Sequence, residues 1–486
     1  MINLLNKSLI SKNTNFQAQN KVTFFTALLC IFISFSAGAQ VNYNYYYGNL
    51  HSHSGFSDGN QDSVSTRISM PIDDYAFANA SQHFDFLGIS EHNHQTAGML
   101  LRNYSKGLGQ AQSYTREGEF VALYGMEWGV IQNGGHILIY GVDKLIGWEP
   151  GNYDIYNEKY TYRTLFKTVN KFPGAFMQFA HPASKDYNGI FSDTATFNPS
   201  ADSALVGVPM RSGPATSTNV TYTDPDDGSY ESVYRTMLAK GYHVGMSLDH
   251  DNHKTTFGRT TPGRLVVLAE SLTRNNIMGA LRARRFFGSD DWNAKIDFRL
   301  NTMPMGSITY GNDPAVITVN ASDDDGESFR NITIMRGVPG SGTQATSVAN
   351  GNGASLSYTD PINNREIHYY YAVILQADGD RIVTSPVWYD RVPVGTQNTI
   401  SENLNFNVFP NPSAGSLNIS YFLPEPTAVS LDITDMEGRL VHSIYTNAKQ
   451  DGGQSISLDN KLAAGLYVVR LLSGTTVTHK TVAVTE

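Results

Sequence analysis

The stretch NLHSHSGFSDG, from Asn49 to Gly59, constrains this chain more than any other. It sets two histidines one residue apart and an aspartate five residues after the second. On an extended segment residues i and i+2 share a side, so His51 and His53 turn their rings the same way. Alone, the pair reads either as a capped polar turn or as the first corner of a metal site. The rest of the chain weighs on that choice. Ten of the thirteen histidines lie between His51 and His253, and candidate ligands recur at the edges of apolar runs. His51 and His53 follow YNYYYGNL, His92 follows FDFLGIS, and Glu127 follows FVALYGM. His136 opens HILIYGV, His181 follows AFMQFA, and Asp249, His250, Asp251 and His253 follow HVGMSL. Each has an ordinary reading: a hydrogen-bonded loop histidine, a helix-cap carboxylate, a His-Pro turn. All of these would have to hold independently, which favours one shared site.

Neutral imidazoles and carboxylates suit Zn, Mn or Fe. Eight or so ligands exceed the needs of one ion, so two or three clustered divalent ions are expected, with Glu127 placed to bridge. Such ions lower the pKa of a bound water and clamp the oxygens of an ester. Cysteine contributes nothing, because the only one, Cys30, lies in the apolar run VTFFTALLCIFISFS. Lys7, Lys12 and Lys21 precede that run and AGA follows before Gln40, the pattern of an export signal. The mature chain is then expected to lack thiolate ligands, disulfides and any membrane-spanning segment.

The 486 residues are 41 % apolar and 16 % charged, enough to bury a core in roughly three domains. A net charge of -9 argues against nucleic acid as a partner. The basic run LRARRFFG falls in an expected helix, preceded by Ser271 and Thr273 as caps and ending at Gly288, and reads as a solvated face with an apolar back. From 40 to 293, apolar runs alternate with helix-like stretches, which suggests an α/β layer or barrel whose strand ends gather the polar clusters at one end. From 294 to 392 the texture turns to short strands with Gly, Asp and Asn turns, that of a β-sandwich. The expected organisation is a signal peptide (1–39), a metallohydrolase barrel (40–293), a β-sandwich (294–392), a linker (393–405) and a second small β-sandwich (406–486).

The ordered motifs resemble those of the polymerase-and-histidinol-phosphatase (PHP) metallohydrolases. LHSHSGFSDG is similar to their opening motif, FDFLGISEHN to the second, YGMEWG to the third, AHP to the fourth, and the D-x-H of HDNH to the last. TTPGRLVVLAESLTRNNIMGALRARRFFGSDD and IDFRLNTMPMGS further resemble the CehA/McbA-like branch, so the likeness covers about residues 45 to 340. It implies a distorted (β/α)7 TIM-like barrel followed by two small β-sandwich domains, and hydrolysis of phosphoesters or other esters at a di- or trinuclear centre. Carried over by position, His51 and His53 would be first-metal ligands, and Asp58 with His92 would hold a second or third ion. Glu127 would bridge, and His136, His181, Asp251 and His253 would complete the shell. A metal-bridging hydroxide would attack the small-molecule ester, and His181 or His136 would protonate the leaving oxygen.

The chain departs from the pattern in places. Glu91 stands where Asp is usual before the histidine. Asp249 and Asp251 compete for one ligand position, and the D-x-H spacing favours Asp251. His94 and His250 have no counterpart. Lys185, Arg211 and Arg259 are candidate phosphate contacts, and the loops Trp148 to Tyr162 and Tyr187 to Asp226 would shape the pocket. NVFPNPSAG, ITDMEGRLV, AAGLYVVRL and Lys480 resemble the sorting domain of the type IX secretion system. That likeness implies the type IX machinery as a partner and passage through the periplasm to the cell surface or medium; a carbohydrate-binding sandwich is the alternative. The expected function is a secreted metal-dependent phosphoesterase. Alternatives are a carboxylic- or carbamate-ester hydrolase on the same site, or a metal-stabilised surface binding protein.

Overall fold

The computed structural model describes residues 42–80, 84–131, 134–222, 229–361, 366–391, 404–414, 416–436, 440–458, 462–473 and 476–485. The expected signal peptide, His83, most of the linker and residues 437–439 lie outside the described residues.

The first part of the chain runs through β1 (Asn44–Asn49), β2 (Phe86–His92), β3 (Val121–Val130), β4 (Gly135–Tyr140), β5 (Ile146–Gly147), β6 (Ile155–Tyr156), β7 (Phe176–Ala180), β8 (Leu205–Ser212), β9 (Gly245–Asp249), β10 (Arg264–Ala269) and β11 (Phe286–Ser289). β2, β7 and β9 are buried along their whole length, as strands covered on both faces are. Helices Pro71–Ala80 and Leu101–Tyr114 pack on this sheet. There the buried hydroxyls of Tyr75 and Tyr104 donate to the carbonyls of Leu123 and Val142 at 2.7 and 2.8 Å.

This arrangement overturns the expected (β/α)7 TIM-like barrel. The sheet order is β11-β10-β1-β2-β3-β4-β7-β8-β9, and β4 and β10 run against their neighbours on both sides. Only four residues separate β3 from β4, too few for a crossover helix, and the two strands pair antiparallel. Across β11 and β20 the sheet also continues into the region after residue 294, while β9 lies against β11, where a Cβ at Gly288 would come 2.5 Å from the Ser247 carbonyl oxygen. The result is a mixed, mainly β architecture. The loops after β1 and β9 meet at one end of it, where His53 N–H donates to the Asn252 carbonyl at 2.8 Å.

The basic run differs from expectation as well. Thr273 caps the helix by accepting from the Asn276 N–H at 3.2 Å, but the helix ends at Arg282 and Phe286–Ser289 is strand β11. Arg284 takes a positive φ of 58°, and both Arg284 and Arg285 are buried, so this half of the run is no solvated face.

After residue 294 come β12 (Lys295–Leu300), β13 (Met303–Pro304), β14 (Ile308–Gly311), β15 (Ala315–Ser322), β16 (Phe329–Gly337), β17 (Thr346–Gly351), β18 (Ser355–Asp360), β19 (Ile367–Gln376), β20 (Arg381–Thr384) and β21 (Val387–Arg391). The sheet β13-β12-β15-β18 covers β16, β19 and β20, with Ile296, Phe298, Ile317, Ile332, Ala372 and Ile382 between the layers. β10 and β11 add Val266, Leu268 and Phe287 to the same core. The tail holds β22 (Asn407–Phe409), β23 (Leu417–Asp435), β24 (Leu440–Leu458), β25 (Gly465–Ser473) and β26 (Thr476–Val484) in one five-stranded sheet. Every second residue of β23 from Leu417 to Leu423, then Val429, Leu431 and Ile433, turns into its own core. Among the described residues, no helix is long and apolar enough to cross a membrane.

Candidate metal centre

The loop after β1 is built to hold its two histidines. Asn49 donates through Nδ2 to the His51 carbonyl at 2.8 Å and to Ser52 Oγ at 2.7 Å. Its Oδ1 accepts from the N–H groups of His51 and His250, which ties this loop to the one after β9. Gly59 passes so close that a Cβ there would lie 2.2 Å from the backbone of His53. His51 and His53 are fully buried as a result.

Glu127 lies within β3, one strand-width from His92 at the end of β2. Its Oε1 is 3.1 Å from His51 Nε2, 2.9 Å from His136 Nδ1 and 3.1 Å from His181 Nε2. Its Oε2 is 3.2 Å from both His53 Nε2 and His92 Nδ1. The reversed strand β4 accounts for His136, because pairing of Gly129 with His136 and of His136 with Ala180 brings the start of β4 beside the ends of β3 and β7. The polar clusters therefore converge at one end of a mixed sheet.

Asp251 stands on the opposite side, with Oδ1 3.0 Å from His51 Nε2 and 3.2 Å from His53 Nε2. Asp249 lies behind: its Oδ1 accepts from Gln178 Nε2 at 2.7 Å while its Oδ2 faces His51 Nδ1 at 3.5 Å. Of the two aspartates, Asp251 reaches the centre and Asp249 orients a ring. Asp58 is the most open member, 3.6 Å from both His92 Nε2 and His253 Nε2. Three overlapping groups result: His53, Asp58, His92 and His253; His51, His53, Glu127 and Asp251; and His92, Glu127 and His136.

The donor set fits cations. A carboxylate offers about four lone-pair sites, yet five imidazoles face Glu127. Two protonated rings about 5 Å apart repel by roughly 3 kcal/mol at an effective dielectric of about 20, so five cannot all be charged. Neutral rings in the donating tautomer could fill those sites, but the fifth would then aim a lone pair at a carboxylate oxygen. Consistent with this conflict, both nitrogens of His51, Nδ1 of His53, His92 and His136, and Oε2 of Glu127 are buried without a hydrogen bond. Spacings of about 3 Å are those of neighbouring ligands roughly 2 Å from one ion. Backbone strain marks the same place, with His181 at φ 31° and Asp251 at φ 53°.

Electrostatics divide the rings. Burial opposes charge on His51, but Asp251 and Glu127 outweigh it and raise its pKa, and His53 rises to about 10 for similar reasons. Burial, reinforced by neighbouring rings, lowers His92 and His253. Glu127 and Asp251 are held well below the usual range, because the surrounding histidines overcome their burial.

Other titratable groups of this region stand apart. Glu91 faces away from His92 and accepts from Ser54 Oγ and, at 2.5 Å, from Ser57 Oγ, bracing the loop that carries Asp58; burial pushes its carboxyl up to about 7. His250 packs against Phe84 and meets the Gly263 carbonyl at 2.7 Å, and His243 pairs with Asp202. His94 stacks on Trp148, which meets Trp128 edge-on, so part of the Trp148 to Tyr162 segment lies beside the centre. Arg211 is taken up by a two-point pair with Asp290 at 2.6 and 2.8 Å, while Lys185 and Arg259 are exposed. Sequence reasoning missed Asn49 and Gln178. Asn49 stood inside the opening motif, but the role of Gln178 depends on the register of β7 and had no sequence signal.

No curated protein matches the chain. Among solved structures it is similar to chicken CNTN1 FN1-FN3 domains, at 13 % identity over 37 % of this chain and 63 % of that one, TM-score 0.15. It is similar to the BSP domain of a biofilm associated protein at 10 % identity over 39 % and 30 %, TM-score 0.14. A Streptomyces avermitilis alpha-L-rhamnosidase complexed with L-rhamnose gives 10 % identity over 38 % and 24 %, TM-score 0.17. The chain spans less than two thirds of each of these, and the TM-scores are too low to bear on fold or function. The tail is different, for residues 407–485 match the secretion system C-terminal sorting domain family. The chain thus carries, at 407–485, a sorting domain of the type IX secretion system, which directs its protein to the cell surface or medium.

Proposed function

We propose that this is an exported metal-dependent hydrolase of ester bonds, phosphoesters foremost, with a metal site of the PHP type. The observation that carries the reading is the convergence of five imidazoles on the buried carboxylate of Glu127. His51, His53, Asp58, His92, Glu127, His136, His181, Asp251 and His253 would hold two or three ions of Zn, Mn or Fe. When bound, such ions supply Lewis acidity and a nucleophilic hydroxide at neutral pH. The chain's own groups do the rest. Asp249, fixed by Gln178, sets the tautomer and angle of His51. Glu91 holds Ser54 and Ser57, and with them the approach of Asp58. His181, whose side chain is 17 % exposed, turns Nε2 to Glu127 and leaves Nδ1 to carry a proton to the leaving oxygen; His136 is the second candidate. Export would begin with the signal sequence, pass through the periplasm and end through the sorting tail.

A carboxylic or carbamate ester is the second reading. It is favoured by the engagement of Arg211 with Asp290, which withdraws one expected phosphate contact. Elemental analysis of the mature protein, beside hydrolysis of phosphomonoesters, phosphodiesters and aryl esters, tests both. Metal at two or three equivalents with phosphoester turnover is expected. A protein that holds metal and turns over none of these would instead be a surface binding protein, and one without metal would sink the site assignment.

A further inference from the structure

A second cluster of ionisable groups lies apart from the histidines, where three loops meet. Asp291 follows β11 in SDDWN, Asp323 and Glu327 lie between β15 and β16 in SDDDGES, and Asp380 lies between β19 and β20 in ADGDR. Ligand oxygens of Asp291, Glu327 and Asp380 are within 4.8 Å of one another. Gln376, the fully buried last residue of β19, inserts its amide among them. Its Nε2 lies 3.2 Å from Asp291 Oδ2, 3.4 Å from Asp323 Oδ2 and 3.1 Å from Glu327 Oε2.

An NH2 group has two hydrogens and cannot serve three carboxylates. Meanwhile Gln376 Oε1 is buried without any donor. Asn293, two residues from Asp291 and 3 % exposed, has both Nδ2 and Oδ1 buried without a hydrogen bond. Such unmet groups are rare in folded proteins, because a buried polar atom without a partner is costly. A half-turn of the Gln376 amide would set its oxygen beside the carboxylates, an arrangement that only a cation makes favourable.

We propose that Asp291, Asn293, Asp323, Glu327, Gln376 and Asp380 form a structural calcium site at the junction of the two sheets. Carboxylates mixed with amide carbonyls from flexible loops suit the six to eight oxygens that Ca²⁺ takes, and suit poorly the strict octahedron and retained waters of Mg²⁺. The site adjoins the Arg211–Asp290 pair, and the N–H of Arg381 donates to Asp290, so a bound ion would brace β8 and β11 against β20. Extracellular modules bind Ca²⁺ at about 10⁻⁴–10⁻³ M, a range suited to an exported protein.

The test uses Tb³⁺ as the probe on the mature protein, excited through Trp292, the neighbour of Asp291. Saturable emission that Ca²⁺ displaces is expected, together with a rise in Tm of about 2–5 °C in millimolar Ca²⁺. Glu327→Gln, at an exposed position, and Asp380→Asn should weaken both effects at least about tenfold, while H51A/H53A leaves them unchanged. Asp291→Asn should abolish them; if that variant does not fold, the other two decide. No Ca²⁺-displaceable emission from the wild type, or emission lost in H51A/H53A but kept in both acidic variants, would overturn the proposal.

Discussion

The histidine centre after β1 and the acidic junction after β11 both crowd titratable groups into the interior, but they differ in donor atom and setting. The first places imidazole nitrogens around one carboxylate at the ends of fully buried strands. The second places carboxylate and amide oxygens on loops, partly exposed, beside two paired arginines. Nitrogen donors on rigid strands suit transition metals and chemistry; oxygen donors on loops suit a hard ion and bracing. If the contrast is right, the two clusters respond to different substitutions and different ions.

The largest effect is expected from removing the imidazoles that face Glu127 and Asp251. H51A/H53A should lose metal and at least about 10³-fold in turnover, on the scale of deleting catalytic machinery, without altering Ca²⁺-dependent Tm. Full activity in that variant would end the reading of the histidine centre. A smaller effect is expected one step out. Asp249→Asn keeps the shape around His51 but removes the charge that orients it, and should cost about 10–100-fold in metal affinity, measured by competition with a chromogenic chelator. Retention of wild-type affinity would mean that Gln178 and Asp249 only pack.

At the junction the expected effects are on stability alone. Burial opposes ionisation of Glu231, but its pairing with Arg381 at 2.8 Å outweighs burial and lowers its pKa. A carboxylate with a depressed folded pKa adds stability above its unfolded value near 4.3, and that stability is lost as pH falls through the folded value. Glu231→Gln should therefore destabilise by about 1–3 kcal/mol at pH 7, and the gap from wild type should shrink below about pH 4. Denaturant unfolding at pH 7 and pH 3.5 measures it, and an equal gap at both would show that the pair contributes nothing.

Most of the candidate cluster was legible in advance because its residues sat beside apolar runs, which become buried strands; Glu127 lies inside one of them and the others near strand ends. His51, His53, His92, Glu127, His136, His181, Asp251 and His253 are brought together in that way. The barrel was misread for the same reason. Buried strands of a parallel and of a mixed sheet look alike as sequence, and neither the reversal of β4 nor the pairing of β11 with β20 leaves a periodic signal. Arg284 and Arg285 failed similarly: charge in a row suggests solvent, while burial is set by what packs over it.

By itself, then, the sequence determined which imidazoles and carboxylates the candidate site could draw on and the sorting tail at 407–485, since these depend only on residue identity and local order. The tertiary structure alone decided which aspartate faces the centre, which arginine is engaged by a neighbour, and that the acidic turns after β11, β15 and β19 meet. The physical reason is that strand register and sheet order bring together residues far apart along the chain, and no local pattern encodes that pairing.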